Sequence, residues 1–201
     1  MRLRYLSLQV LIIISKVGIR AGMPVPQGGM PVPQGGCPFH KSYVENKKSM
    51  NKYIEPLEEH NGNDKAIFLA GGISNCPDWQ AEVVELLKPS TLTILNPRRH
   101  NFPIHDPDAS LKQIEWEHKH LRLAHTILFW FPQESICPIA LYELGAWSMT
   151  DKPIFIGMHP NYPRRQDVEI QTKLVRPEIK IVYSLEELAQ QIVGDSSLRS
   201  E

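Results

Sequence analysis

The sequence has few cysteines, and their spacing is as informative as their number. Its 201 residues include Cys37, Cys76 and Cys137, and no two of these form a CxxC pair. An odd set without that spacing argues against a disulfide framework or a zinc knuckle, and it favours a reducing compartment. We therefore expect a cytoplasmic protein.

The sequence also lacks a hydrophobic run long enough to cross a membrane. The apolar stretch 5–14 spans ten residues, whereas a bilayer needs roughly 20. No acidic residue precedes Glu45, and five basic ones do. This acid-free start leaves a weak expectation of a secretion signal or an organellar presequence, with an unstructured terminus as the preferred alternative.

No excess of charge of either sign is present. Lysine plus arginine and aspartate plus glutamate both number 22, so the sequence indicates neither a nucleic-acid partner nor an acidic membrane partner. From Glu45 onward, 17 basic residues stand against 22 acidic ones. The folded part is therefore expected to be mildly acidic.

Several cofactor and metal motifs are missing. The chain has no GxGxxG, no P-loop lysine and no HExxH, so the sequence supports neither a Rossmann dinucleotide site nor an NTPase. His118 and His120 are two residues apart and point to different sides of a helix, which disfavours a metal site with His125. We expect no cofactor and no metal.

The chain divides into three predicted regions. The segment GMPVPQG occurs at 22–28 and again at 29–35, and such a Pro/Gly-rich duplication is typical of an extended linker. One short helix is expected around Tyr53, Ile54 and Leu57. The predicted regions are a weakly ordered segment 1–64, a globular domain 65–195 and a tail 196–201.

From Ala66 onward, short apolar runs alternate with helical patterns. The predicted strands are 66–70, 92–95, 126–131, 153–157 and 179–183. Predicted helices are one capped by Asn75 and ending near Lys88, then 110–124, 138–149 and 184–193. Ser184 and Glu187 form a predicted capping box.

This alternation predicts the fold class. Five apolar strands separated by helices indicate a parallel sheet covered on both faces, which is a flavodoxin-like three-layer α/β sandwich. Ligands of such sheets bind beyond the carboxyl ends of the strands. The loops after Ala70, Phe131 and Gly157 are therefore the expected site, and segment 159–171 is interpreted as a loop beside it.

Glu143 is the single side chain between Pro138 and Thr150 that ionises near neutral pH, on a helix that is otherwise nearly all apolar. Such a helix is typically buried. A buried carboxylate loses hydration and must be paired, hydrogen-bonded or protonated. Both a functional carboxylate and a structural ion pair with Arg98 or Arg99 remain open.

Glu117 supplies a second carboxylate, on the preceding predicted helix. Ile114, Leu121 and Ala124 mark the buried stripe of that helix, and the i, i+3, i+4 rule places Glu117 on it. Retaining glycosyl transfer uses a close carboxyl pair, one to attack the anomeric carbon and one to handle a proton or a sugar hydroxyl. The alternative is a solvated face shared with charged neighbours.

The turn after the first predicted strand offers binding groups. Gly71, Gly72, Ile73 and Ser74 lead into a helix N-terminus, where backbone N–H groups can bind a phosphate or a ribose hydroxyl. Trp79 is a candidate for stacking a base, although core filling is the default interpretation. The candidate substrate-binding residues also include Asp78 and Arg98.

Four segments together resemble the nucleoside 2-deoxyribosyltransferase-like family over residues 67–193. They are LAGGISNCPDWQ, ILNPRR, QIEWEHKHLRLAHTILFWFP and CPIALYELG. In that family a glutamate before Leu-Gly is the nucleophile that becomes glycosylated, and Glu143 matches it. Glu117 matches an aspartate that contacts sugar hydroxyls and assists proton transfer, so its longer side chain is a departure.

The same resemblance implies a pocket. Gly71, Gly72 and Ile73 line the sugar and base in the family. Cys137, six residues before Glu143, stands where transferases carry a base-reading aspartate and related monophosphate hydrolases a phosphate-binding serine. Neither subfamily is reproduced, so the base and the acceptor stay open.

The resemblance implies an enzyme that cleaves the N-glycosidic bond of a small-molecule nucleoside or nucleotide and transfers the sugar. One alternative is a 2'-deoxynucleoside 5'-monophosphate N-glycosidase, with Arg98, Arg99 or Ser74 on the phosphate. The other is a non-catalytic nucleotide-binding module in which Glu143 is merely buried. Because family members often assemble their sites in oligomers, a homo-oligomer is a further expectation.

Overall fold

The structure is a computed structural model that describes residues 52–103 and 105–198. The expected signal or presequence and the duplicated GMPVPQG segment fall outside the described residues, as do positions 199–201 of the expected tail. In the part that is described, no helix combines the length and the apolar character needed to cross a membrane.

The described elements alternate between strand and helix for most of the chain. The strands are β1 (Tyr53–Ile54), β2 (Ala66–Gly71), β3 (Thr93–Leu95), β4 (Thr126–Phe131) and β5 (Ile154–Met158). The helices are α1 (Trp79–Leu86), α2 (Ala109–Leu123), α3 (Pro138–Ser148), α4 (Arg165–Val175) and α5 (Leu185–Gly194), followed by a 3₁₀ turn at Ser196–Leu198.

The sheet is parallel throughout, in the order β1-β3-β2-β4-β5. After β2 the chain adds β3 on one side and then crosses to add β4 on the other. The strand order therefore switches between β2 and β4, and open parallel sheets bind ligands at such a switch. This architecture confirms the predicted flavodoxin-like α/β class.

The central strands are buried on both faces, as a parallel sheet requires. Alternate residues of each strand point to opposite faces. Phe68 and Phe129 pack with α2, α3 and α4, whereas Leu69 and Leu128 pack with α1 and α5. The helices thus form one layer on each face, and both candidate carboxylates belong to helices of the first layer.

The identity of the fifth strand was predicted wrongly. Segment 179–183 makes a single bridge, Val182 to Gly157, and the fifth strand is β1, where the short helix was expected. Ile54 is buried and pairs with Leu95 at the edge of the sheet. Two residues carry no readable alternation, so tertiary pairing decides their conformation.

Two helix assignments also differ. The segment interpreted as a loop over 159–171 contains most of α4, whose buried positions Val168 and Thr172 are one turn apart. At α1 the N-cap is Asp78, whose Oδ1 accepts the N–H of Ala81 at 3.1 Å, because Asn75 adopts a left-handed conformation with φ of 59°. The expected cap at Asn75 is therefore wrong.

The buried face of α2 is partly as expected. Leu121 and Ala124 are buried, but Ile114 is 61% exposed, so its assignment to the stripe is wrong. Trp116 and His120 are the other buried side chains near the middle of the helix. At α5 the N-cap of the predicted capping box is confirmed, since Ser184 Oγ accepts the N–H of Glu187 at 3.2 Å, whereas Glu187 itself accepts the N–H of Tyr183 instead of that of Ser184.

Candidate active site

Glu117 and Glu143 are carried by two helices, α2 and α3, that cover the same face of the sheet. On α2, Glu117 follows the buried Trp116; on α3, Glu143 precedes the buried Leu144. Both packing partners belong to the core cluster that covers one face of the sheet. Each carboxylate is therefore carried by a helix that packing holds in place, and each is itself half-buried.

The two carboxylates interact. Burial and, to a smaller extent, the negative charge of Glu117 together raise the pKa of Glu143 from 4.5 to about 7. Burial also raises the pKa of Glu117, while a hydrogen bond from Gln113 acts against that rise. The pair is electrostatically coupled, as two like charges in a poorly solvated place must be.

Neither carboxylate is neutralised by a cation. Throughout residues 52–103 and 105–198, no salt bridge involves Glu117 or Glu143. Arg98 pairs instead with Asp78, and Arg99 lies over the ring of Phe102. The structural ion pair considered for Glu143 is thus not formed.

The turn after β2 requires both of its glycines. A Cβ on Gly71 would stand 2.2 Å from the carbonyl oxygen of Trp130, and one on Gly72 would stand 2.8 Å from Cys137 Sγ. The turn therefore packs directly against β4 and against the start of α3. Beyond it, Ile73 is half-buried and Ser74 is exposed.

Trp79 lies in the core instead of being open for stacking. It is 3% exposed, packs in the cluster with α5, and donates its indole N–H to the carbonyl of Gly72 at 2.7 Å. Core filling, the default interpretation, is what the structure shows. The indole holds the glycine turn from beneath.

Asp78 and Arg98 hold the loop that precedes α1. The Arg98 guanidinium donates to the carbonyl of Pro77 at 3.2 Å and to Gln80 Oε1 at 3.0 Å, and it lies 3.5 Å from Asp78. Since these contacts use much of the hydrogen-bonding capacity of the guanidinium, Arg98 stabilises the loop that precedes α1. Direct contact of Asp78 or Arg98 with substrate stays a prediction.

Cys137 fixes the start of α3. Its backbone has a φ of 52°, its side chain is buried, and its N–H donates to Ser135 Oγ at 3.2 Å. Burial raises the pKa of the thiol to about 11, so the sulfur is a neutral packing group near pH 7. Its sulfur lies against Gly72, which brings the β2 turn and α3 together.

The three histidines at positions 118, 120 and 125 face different ways. His120 is fully buried, His118 is exposed and accepts a hydrogen bond from Arg122, and His125 accepts the N–H of Ala66. Among the residues that the structure describes, no three His, Cys, Asp or Glu side chains are grouped so as to hold a metal ion.

The sequence analysis did not identify Gln113, and it expected Tyr162 near the site only as part of the loop 159–171. Gln113, one turn before Glu117, donates to its carboxylate at 2.7 Å, and Tyr162 donates to the carbonyl of Ile136 ahead of α3. The i, i+4 spacing of Gln113 was a readable signal. The hydrogen-bond partner of Tyr162 could not be predicted, because it lies 26 positions earlier in the chain.

The comparison with known families agrees with this geometry. The family described as nucleoside 2-deoxyribosyltransferase like matches residues 64–162, a range that contains both carboxylates and the glycine turn. This segment belongs to that family. The match supports the general kind of activity that the family description gives. No curated protein matches the chain.

Proposed function

We propose that the domain cleaves the N-glycosidic bond of a nucleoside or nucleotide, with Glu143 as nucleophile and Glu117 as its assistant. The observation that carries the proposal is the pair of half-buried carboxylates on two helices of one layer, whose charges interact and which form no salt bridge with any described residue. Buried, strongly perturbed carboxyl groups concentrate at functional sites. A purely structural pair of like charges would cost stability without compensation.

The first chemical step breaks the bond between the anomeric carbon and the base. A Glu143 oxygen bonds to that carbon, the electron pair of the broken bond passes to the base nitrogen, and the leaving base takes up a proton from the solvent. The product is a glycosyl ester on Glu143. Its formation requires Glu143 to be ionised when substrate is in place, and Glu117 assists as a carboxylate that accepts a hydrogen bond from a sugar hydroxyl.

The second step releases the sugar. An incoming base nitrogen or a water oxygen attacks the anomeric carbon, the ester bond breaks, and its electron pair returns to Glu143 as a carboxylate. Glu117 takes up the proton that the nucleophile loses. Transfer and hydrolysis thus share the first step, and exclusion of water from the site decides between them.

The test is a panel of deoxynucleosides and their 5'-monophosphates, each with and without a free acceptor base. Wild type should release or exchange a base, and Glu143→Gln should do neither. Glu115→Gln, an exposed carboxylate on α2, is the matched control and should retain activity. Denaturing mass spectrometry should find the sugar attached to a peptide containing Glu143.

Each alternative has its own outcome. Release from monophosphates alone would identify a nucleotide N-glycosidase. Binding of nucleotides with no release, unchanged in Glu143→Ala, would identify a non-catalytic binding module. Activity of Glu143→Gln equal to that of wild type would show that Glu143 is not the nucleophile.

A further inference from the structure

Gln113 makes two hydrogen bonds with one nitrogen. Its Nε2 donates to Glu117 Oε1 at 2.7 Å and to the carbonyl oxygen of Pro97 at 2.8 Å. Its own Oε1 is buried and has no hydrogen-bond partner among the described residues. The side chain thus links α2 to the segment that follows β3, although its own carbonyl oxygen is left without a hydrogen bond from any described residue.

The carbonyl of Pro97 fixes the orientation of this amide. A peptide carbonyl only accepts hydrogen bonds, so it requires the N–H side of Gln113 to face it. The reverse orientation would set the Gln113 oxygen against the Pro97 oxygen at hydrogen-bond distance, which is repulsive. Glu117 therefore always meets a donor at this position.

A donor in that place favours one form of Glu117. A carboxylate accepts the N–H, whereas a protonated carboxyl presenting its O–H to Gln113 would find no acceptor. We infer that Gln113 is a positioning residue that orients the Glu117 carboxylate and keeps it ionised in the free protein. Gln113 itself touches no reacting atom.

The consequence extends to Glu143. Because Glu117 is held as an anion, its charge opposes ionisation of Glu143, and the proton shared by the pair rests mainly on Glu143 until substrate arrives. A sugar hydroxyl that donates a hydrogen bond to Glu117 would then reduce the effect of its negative charge, so Glu143 would ionise more easily. The role of Gln113 in the reaction rests on the proposed function, whereas its effect on the pair does not.

The experiment is an NMR titration of the full chain carrying ¹³C-labelled glutamate, without substrate. Glu117→Gln and Glu143→Gln assign the two carboxyl signals. In Gln113→Met, loss of the donor should move the titration of Glu117 to higher pH. Since Glu117 is then less often charged, the titration of Glu143 should move to lower pH.

Opposite shifts separate this role from simple loosening of the fold, which would hydrate both groups and move both titrations the same way. Gln166→Met, at an exposed glutamine on α4, is the matched control and should move neither. In a Glu117→Gln background, Gln113→Met should leave the Glu143 titration unchanged, because its effect passes through Glu117.

A second variant guards against misfolding of the first. Gln113→Glu keeps the length of the side chain and replaces the donor by a carboxylate, so it should raise the Glu117 titration at least as far. Unchanged titrations in folded Gln113→Met or Gln113→Glu, or parallel shifts of both groups, would overturn the inference. Base release by wild type, measured separately, bears only on the proposed function.

Discussion

Tyr162 donates its hydroxyl hydrogen to the carbonyl oxygen of Ile136 at 2.8 Å, which ties the segment after β5 to the loop that leads into α3. Tyr162 is 3% exposed, and burial raises the pKa of its hydroxyl far above the usual range. The hydroxyl is therefore a permanent donor. It holds the start of the helix that carries Glu143.

Tyr162→Phe should loosen this loop. The carbonyl of Ile136 would lose its partner, so the free energy of unfolding should fall by about 1–3 kcal/mol in urea denaturation. Base release should also slow, because Glu143 is less well placed. Tyr183→Phe removes an exposed hydroxyl bonded to Glu169 and should have little effect on either measurement. Equal losses in both variants would contradict the assigned role.

Activity should depend on the ionisation of Glu143. Because a carboxylate is the nucleophile and the pKa of Glu143 is raised to about 7, kcat/KM should rise with pH through that value. Glu117→Gln removes the neighbouring charge, so the residual activity should rise at lower pH. Glu115→Gln should leave the profile unchanged. If kcat/KM of the wild type instead rose near pH 4.5, the ordinary pKa of a glutamate, the raised pKa of Glu143 would be contradicted.

Ionisation of Glu143 should lower the free energy of unfolding, whereas it raises the activity. The folded-state pKa of Glu143 exceeds the unfolded value, so its favourable contribution is complete below 4.5 and is lost as pH rises through about 7. Glu143→Gln should therefore be more stable than wild type above neutrality, on the order of 1–3 kcal/mol. Urea denaturation across this range should show the two proteins converging in acid.

The glycine turn should not accept a side chain. Gly71→Ala places a methyl group against the backbone oxygen of Trp130, which cannot move without disturbing β4, so a loss on the order of 3 kcal/mol is expected. Gly145→Ala is the matched control on α3, where a Cβ meets nothing within 4 Å. Thermal unfolding should show it neutral or stabilised by up to about 1 kcal/mol.

A buried histidine pair should make the fold sensitive to acid. His120 Nδ1 lies 2.8 Å from the carbonyl oxygen of Trp116, and its Nε2 accepts a hydrogen bond from the backbone N–H of His60 at 3.4 Å. This pattern requires a neutral ring, and burial lowers the pKa of both histidines. Stability is therefore present above 6.5 and lost as pH falls below it.

Urea denaturation at about pH 7.5 and about pH 5.5 measures this loss. His120→Gln cannot take up a proton, so it should show a smaller difference between the two conditions than wild type. His118→Gln alters an exposed neighbour and should retain the wild-type difference. A wild-type protein equally stable at both values would contradict the assignment.

How far the sequence predicts this site differs from residue to residue. Glu143 stands alone in an apolar helix, so its burial was readable from one segment. Glu117 was found from helical spacing, although the stripe used to find it included the exposed Ile114. The i, i+4 spacing predicts contact of Gln113 with Glu117, but its second hydrogen bond, to the Pro97 carbonyl, forms only on folding and could not be predicted.

The fold followed the same division. Buried strands such as β2 and β4 are continuous apolar runs, so local pattern predicts them. β1 has two residues and obtains its conformation from β3, and α4 buries only Val168 and Thr172 while three of its larger apolar side chains are exposed. Both depend on long-range contacts that no local window contains.

The edge strand β1 also determines how long a recombinant fragment must be to keep the sheet complete. β1 lies upstream of residue 64, at which the family match begins, and α5 lies beyond residue 162, at which it ends. A fragment limited to the matched range would leave the outer edge of β3 without its hydrogen-bonding partner and would remove helices that cover the sheet. Open edges of that kind template aggregation, so recombinant fragments should begin ahead of Tyr53 and extend past Leu198.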